Sequence, residues 1–403
     1  MSSEFSFDLF DPGETQQMWG LMRQMRETCP VASPSPGMYY TARFAETERV
    51  FKDGKRFSCE GGFRAPGVDI PPDERLMAEI DAPAHPTLRR FLLRSFNPGM
   101  ALAAEPFARQ LVGELFDALV EQGGGDLVGG LATPVPVAVT GHVLGVPVED
   151  IHSIAPMLFA LLHTDWPAYG VLDRTKPDEG VGIAGSAPEL AAYFDAMIAR
   201  RRNGEITGDD LTSQMLTAEV DGERLSDDRV RSLMVNFLTA GLSTTNLIGN
   251  TLYRLMTTES LDGALRASPD MIPAFIEESL RFEPPVLFLF RTATTDVTLA
   301  DVTVGEGERV AMGIASANRD EQVFEHANEF RINAEDPEHL AFGAGAHLCL
   351  GNHMARMEGR VVIEEYLRRF TFGELRPAPD YALHLMPHFL EYGPESLDVV
   401  VAR

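Results

Sequence analysis

The sequence predicts a mainly α-helical protein with a small β region, an α+β fold. Three features carry that expectation. From about residue 84 to 255, apolar residues recur with helical spacing, as in ELFDALVEQ and ELAAYFDAMIARRR, between short Gly or Pro breaks. From 290 to 312 the texture changes: RTATTDVTLADVTVGEGERVAM alternates, is rich in Val and Thr, and carries a Gly-Glu-Gly turn, which predicts short strands. The last stretch, YALHLMPHFLEYGPESLDVVVAR, is again β-like.

In chain order, MYYTARFAETERV (38–50) reads as a strand followed by an amphipathic helix. EGGFRAPGVDIPPD (60–73) is a Gly/Pro-rich loop holding buried-type residues, the kind of segment that serves as a lid or binding loop. DAPAHPTLRRFLLRSFNP places His85 and Arg89 at i, i+4 on a helix after a proline turn. MVNFLTAGLSTTN (234–246) begins as a buried helix, then places Thr239, Ser243, Thr244 and Thr245 where more Leu would be expected. Gly241 costs roughly 1 kcal/mol there against Ala, and Ser or Thr can bond the carbonyl four residues back and bend the axis. A weak, polar turn inside an apolar helix is predicted. FIEESLRFEPPV sets Glu278 and Arg281 at i, i+3, where they can pair.

The 403 residues are 44% hydrophobic, enough for a large core, and no linker, repeat or low-complexity tract divides them. A single domain over 1–403 is expected. Neither the acidic N-terminus nor any later stretch has the length of uninterrupted apolar residues that a signal peptide or spanning helix needs, so a cytoplasmic protein without a membrane role is expected. The net charge of −26 disfavours nucleic acid and anionic membrane surfaces as partners. The 3 cysteines, Cys29, Cys59 and Cys349, are too few and too scattered for a disulfide framework or a zinc site.

Cys349 stands apart. FGAGAHLCLGNHMARMEGRVVIEEYLRRF surrounds it with Gly343, Gly345 and Gly351 and then continues as an amphipathic helix. A cysteine at a helix N-terminus is favoured as thiolate by the dipole and the unpaired N–H groups. Glycines let a backbone approach something flat and close. A lone cysteine near one glycine is most often a buried residue in a tight turn. Here the identities Phe-Gly-x-Gly-x-His-x-Cys-x-Gly stand at fixed spacing, and the segment resembles the haem-ligand loop of the cytochrome P-450 superfamily, in particular its soluble bacterial camphor-hydroxylase-like members.

That resemblance runs from about residue 38 to the end. It implies a cytochrome P-450 fold with haem b held between the distal helix carrying Thr244 and the thiolate loop with its following helix. By position, Cys349 becomes the axial iron ligand, Phe342 packs beside the ring, and His347 contacts a haem propionate. His85, Arg89 and Arg291 become further propionate contacts, a role for which Arg is well suited. Glu278 and Arg281 become the family's buried pair behind the loop. A second arginine usually completes that pair, but its position here is Ala334, with Arg331 the nearest substitute. AGLSTT matches the distal helix: small Ala240 and Gly241 leave room for O2, and Thr244 aligns with the threonine whose hydroxyl bonds bound oxygen. Relatives place Asp or Glu where this chain has Ser243, which can relay a proton but cannot hold one as an acid.

The implied activity is insertion of one oxygen atom from O2 into a small or mid-sized lipophilic or aromatic substrate, with electrons from NAD(P)H through a ferredoxin reductase and a ferredoxin. Arg90, Arg94, Arg356 and Arg360 are the expected docking patch. The expected pocket wall is the 60–73 loop with Asn236, Phe237, Val286, Leu287, Phe288, Leu289, His388 and Phe389. A monomer is expected. A peroxide-driven or atypical haem-thiolate oxidase (coupling, nitration, desaturation) and a catalytically silent haem or ligand-binding protein remain as alternatives.

Overall fold

A computed structural model of the chain describes residues 17–60, 62, 70–164, 183–184, 187–332, 338–385 and 390–402. The elements begin with α1 (Met18–Thr28), β1 (Val31–Ser35), β2 (Met38–Thr41), α2 (Phe44–Lys52) and β3 (Phe57–Ser58). There follow α3 (Ala84–Leu92), α4 (Pro98–Gln122), β4 (Gly124–Asp126), α5 (Pro134–Leu144) and α6 (Val148–Thr164). Next are α7 (Pro188–Arg202), α8 (Leu211–Thr217), β5 (Glu219–Val220), β6 (Glu223–Arg224), α9 (Asp227–Gly241) and α10 (Ser243–Thr257). Then come α11 (Glu259–Ala267), α12 (Ile272–Phe282), β7 (Leu289–Ala293), β8 (Val297–Leu299), β9 (Val302–Val304) and β10 (Arg309–Met312). The chain ends with α13 (Ile314–Ala317), α14 (Asn352–Arg369), β11 (Leu375–Pro377) and β12 (Asp398–Val401). The mainly helical fold with small sheets is as expected.

The chain divides into two compact units. The first gathers Met1–Ser58, Glu105–Val135 and Ser243–Arg403; the second gathers Cys59–Ala104 and Pro136–Leu242.

In the first unit a five-stranded sheet runs β1-β2-β10-β7-β3. β10 is its centre, parallel to β2 (Arg309↔Met38) and antiparallel to β7 (Arg309↔Thr292). All four of its residues are buried, as a strand covered on both faces requires. Val50, Phe51, Phe57, Val310, Met312, Ile314 and Leu340 share one core with it. The expected Gly-Glu-Gly turn is present between β9 and β10, with Gly307 at φ 83°. On the helical side, α14 lies close to α10 and α12. A Cβ on Gly359 would stand 3.4 Å from Leu247 Cδ2 and 3.8 Å from Ile276 Cδ1. Arg360 on α14 bonds Glu105 on α4 at 2.5 Å, and Arg109 on α4 reaches back to Glu364.

The predicted helical run from 84 to 255 is interrupted by β4, by a π-helical turn at Val128–Ala132 and by the β5–β6 hairpin. The causes are local. Gly124 and Gly125 have φ 133° and 150°, and a Cβ on Gly124 would lie 2.2 Å from the Val399 carbonyl oxygen of β12. Glycine alone permits that pairing. Asp221 (φ 54°) and Gly222 (φ 84°) make the two-residue turn of β5–β6.

In the second unit α9 is the central helix. Ser226 caps it by accepting the Arg229 N–H at 3.1 Å, and Asp227 and Asp228 stand in its positive first turn. Its Arg231 is buried and pairs with Glu74, Asp195 and Asp228.

Candidate active site

The Cys349 loop is held by its own backbone. The Cys349 N–H donates to the Phe342 carbonyl at 2.9 Å, and Leu348 N–H to Gly345 at 3.2 Å. Gly343 and Gly345 both have φ 70°. A Cβ on Gly343 would stand 3.2 Å from Phe51 Cε1, and one on Gly345 would stand 3.0 Å from the Phe51 carbonyl oxygen. These glycines therefore admit α2, a use that differs from the expected approach to a flat ligand. Gly351 is the residue next to the sulfur: its Cβ would be 3.9 Å from Cys349 Sγ. Cys349 is half-buried, forms no disulfide, and stands three residues before the first residue of the 18-residue helix α14. Asn352, the first residue of α14, donates its side-chain amide to the Cys349 carbonyl at 2.6 Å.

The weak turn lies where the hydroxyls predict it. Thr239 Oγ1 donates back to the carbonyls of Val235 (2.9 Å) and Asn236 (3.2 Å). The Leu242 N–H then bonds Thr239, three residues back, at 3.1 Å, and the helix is interrupted at Leu242. α9 ends at Gly241 and α10 begins at Ser243. Ala240 is exposed in an otherwise buried stretch. Gly241 faces α5 instead: a Cβ there would stand 3.1 Å from Thr140 Oγ1. Its small size thus serves helix packing. Thr244 is buried on α10, and α10 is the helix against which α14 closes.

A family model described as cytochrome P450 matches residues 188–380. The chain is 33% identical to the steroid C26-monooxygenase of Mycolicibacterium smegmatis over 383 residues, covering 94% of this chain and 91% of that one. It is 33% identical to the erythromycin C-12 hydroxylase of Saccharopolyspora erythraea over 349 residues, covering 86% and 85%. The structure of a mutant of P450 EryK in complex with erythromycin B superposes with a TM-score of 0.86 at 30% identity, covering 98% of both chains. This chain belongs to the cytochrome P450 family. It is an oxidoreductase of the haem-thiolate monooxygenase class, and the cofactor of that class is haem b.

The residues of this P450 suit that cofactor. Haem b needs one soft axial donor and cationic or imidazole partners for its carboxylates. In the first unit Cys349 is the thiol beside a helix N-terminus, with Gly351 next to its sulfur. Arg291 is 5% exposed on β7, registered opposite Val310 of β10. His347 ends a short 3-10 turn within the loop and is half-buried. In the second unit His85, 2% exposed, and Arg89 occupy α3 one turn apart.

Glu278 and Arg281 form a buried, two-bonded pair at 2.6 and 2.8 Å. Arg281 also donates to the carbonyls of Asn318, Ala327 and Glu329. Ala334 lies outside the described residues. Arg331 replaces the second arginine only through its backbone: its N–H bonds Glu278 Oε1 at 2.6 Å. Its guanidinium lies 3.4 Å from Glu329 on the surface.

Several expected positions have protein partners. Phe342 has Arg356 stacked over its ring at 4.4 Å. Arg356 also grips Glu277 through two bonds, at 2.6 and 2.8 Å, and Asn352 Oδ1 at 2.9 Å. Burial raises the Glu277 carboxyl, but Arg356 and His339 outweigh it and bring it to about 2. Arg360 is likewise held by Glu105 and Glu364. As docking charges Arg356 and Arg360 are therefore offset by neighbouring acids. Arg90 and Arg94 are exposed, on and just after α3.

Leu287 and Phe288 are core residues, 2% exposed, with Phe288 edge-on to Tyr40 and Phe290. Val286 and Leu289 are only half-buried. Asn236 accepts the Met77 N–H at 3.0 Å, and Phe237 packs on Phe96 at 4.7 Å. His388, Phe389 and most of the 60–73 loop lie outside the described residues.

Sequence reasoning missed Asn352, Glu277 and Glu391. Asn352 carries no signal beyond being polar beside the loop, and Glu277 none beyond standing next to Glu278. Glu391 bonds the Ser243 hydroxyl at 3.2 Å, and nothing local in the sequence marks that contact.

Proposed function

We propose that this P450 inserts one oxygen atom from O2 into a small or mid-sized lipophilic substrate, drawing electrons from NAD(P)H through a ferredoxin. The observation that carries the reading is Cys349 at the N-terminal end of α14, with Thr244 on the helix that α14 packs against. Haem b, when bound, supplies the O–O cleavage and oxygen-transfer chemistry, favoured by thiolate donation. Cys349 is assigned as the axial ligand. His347, Arg291, His85 and Arg89 are assigned to the propionates. Phe342 is assigned to bracing the loop through Arg356, and Thr244 to positioning a hydroxyl on the oxygen side.

The pocket wall is assigned to Asn236, Phe237, Val286 and Leu289, with Ala240 as the small residue of the distal helix. Relatives named for a steroid and for erythromycin support a mid-sized lipophilic substrate. No single helix among the described residues is long and apolar enough to cross a membrane, which supports cytoplasmic action. The whole chain is taken as one catalytic domain working as a monomer.

The test has two arms. A lipophilic compound library is screened by the shift of the haem absorption on loss of iron-bound water, and hits are turned over with NAD(P)H, ferredoxin reductase and ferredoxin, or with peroxide. Oxygenated product in the ferredoxin arm is expected. Product with peroxide alone contradicts the O2-dependent reading. Arg90→Glu should weaken ferredoxin-driven turnover several-fold and flatten its salt dependence while peroxide-driven turnover stays unchanged. An equal fall in both removes Arg90 from the docking surface.

A further inference from the structure

α10 opens with Ser243, a hydroxyl that can pass a proton but not store one. The fold brings a carboxyl to it from far along the chain. Ser243 Oγ donates to Glu391 Oε1 at 3.2 Å across a separation of 148 residues. The second side chain bonded to Glu391 is Asn246, one turn further along the same helix.

The backbone around Glu391 is pinned on both sides. Glu391 forms an antiparallel bridge with Val286, the Leu287 N–H bonds Leu390 at 2.7 Å, and the Tyr392 N–H bonds Pro285 at 3.0 Å. Asn250 on α10 fixes the Tyr392 carbonyl at 2.9 Å. The carboxyl is therefore held where it is by secondary structure and not by a flexible side chain on a surface.

Glu391 is 8% exposed, and no ion pair reaches it among the described residues. Its partners on α10 are neutral. Its titratable neighbour Tyr392 is turned to Trp19, and the nearby Glu283, Arg319 and Arg254 act on Tyr392. A buried carboxyl with only neutral partners keeps its proton longer than an exposed one. Burial raises this one to about 7, with Ser243 and Asn246 pulling it partly back. That is the range in which a carboxyl both holds a proton at neutral pH and gives it up readily.

We propose that Glu391 is the proton-holding group for this site, positioned to act through Ser243. With its carboxyl protonated, Glu391 gives that proton to Ser243 Oγ, the Ser243 hydroxyl turns away from Glu391 and releases its own proton to a water on the oxygen side, and solvent reprotonates Glu391. One proton enters and one leaves; no electron moves. The proposal rests on the haem-thiolate reading, and it locates on a different strand-like segment the acid that α10 itself lacks.

The haem-loaded wild type is compared with Glu391→Gln, Ser243→Ala, Ser243→Asp and the Glu391→Gln/Ser243→Asp double variant. Glu391→Gln should lower product formed per NAD(P)H by about 100-fold, the lower end of the usual contribution of a general acid, with substrate affinity and the ferrous carbon-monoxide spectrum unchanged. Ser243→Asp in the Glu391→Gln background should restore most of that loss, because it returns a carboxyl to α10. A merely structural brace would not be rescued in this way.

A second readout needs no turnover. A pH-titrated infrared difference spectrum should show a carboxylic-acid C=O band converting near neutral pH, absent in Glu391→Gln and displaced in Ser243→Ala. Should Glu391→Gln fail to fold, Ser243→Ala carries the test, since it keeps the carboxyl and breaks the bond. Unchanged coupling in Glu391→Gln (or in Ser243→Ala where that variant stands in), no rescue by Ser243→Asp, or no such infrared band overturns the proposal. Absence of O2-driven turnover in the wild type contradicts the functional reading instead, and the infrared arm still decides whether Glu391 holds a proton against Ser243.

Discussion

Buried carboxyls divide here by what reaches them. Glu278 has a guanidinium and a backbone N–H, and Glu391 has two neutral side chains. Glu358 on α14 is 2% exposed, and burial alone drives its carboxyl up to about 8. Its folded value stands above the ordinary 4.5 of an exposed glutamate, so the native state binds the extra proton. The stability this contributes is complete below about pH 4.5 and is lost as pH rises toward about 8. Glu358→Gln should remove that slope, with the variant gaining on the wild type by up to about 1.4 kcal/mol per pH unit across the window. Denaturant unfolding at a series of pH values checks it; parallel curves for the two proteins would show that Glu358 is not the titrating group. The environments of Glu391 and Glu358 cannot be read from the sequence, because an acid looks the same there whether its neighbours in space are neutral or apolar; that of Glu278 shows only as its spacing to Arg281.

At the scale of elements, the Glu278–Arg281 pair was legible as an i, i+3 spacing on one helix, but its work was not. Arg281 joins α12 to the carbonyls of Asn318, Ala327 and Glu329, which precede the thiolate loop in the chain. Removing one member leaves a buried charge uncompensated, which costs about 3–5 kcal/mol. Glu278→Gln should lower unfolding stability by that order. Arg281→Lys should do comparable damage, since one ammonium cannot match a planar fork that serves a carboxylate and three carbonyls. Guanidinium unfolding midpoints measure both, and losses under about 1 kcal/mol would mean that the pair is no more than a surface-type bridge. The interrupted distal helix was fully legible, because Thr239 acts on carbonyls three and four residues away. The role of the loop glycines was only half legible: their positive φ follows from the sequence, but that they make way for Phe51 depends on where α2 lies.

For the whole molecule, family membership was legible because the thiolate loop is contiguous, so six identities at fixed spacing survive without any knowledge of the fold. The small sheet was legible as a texture but not as a topology, since β2 meets β10 across more than half the chain. The haem assignments proposed above run from His85 to Cys349 along the chain. All of them depend on one assignment, the thiolate. The most direct measurement is the absorption spectrum of the reduced, carbon-monoxide-bound protein, wild type beside Cys349→His. The wild type should show the large red shift of the Soret band that a thiolate ligand produces, and Cys349→His should lose it while still binding haem. A wild-type spectrum without that shift, or one unchanged by the substitution, would contradict the assignment of Cys349 as the iron ligand.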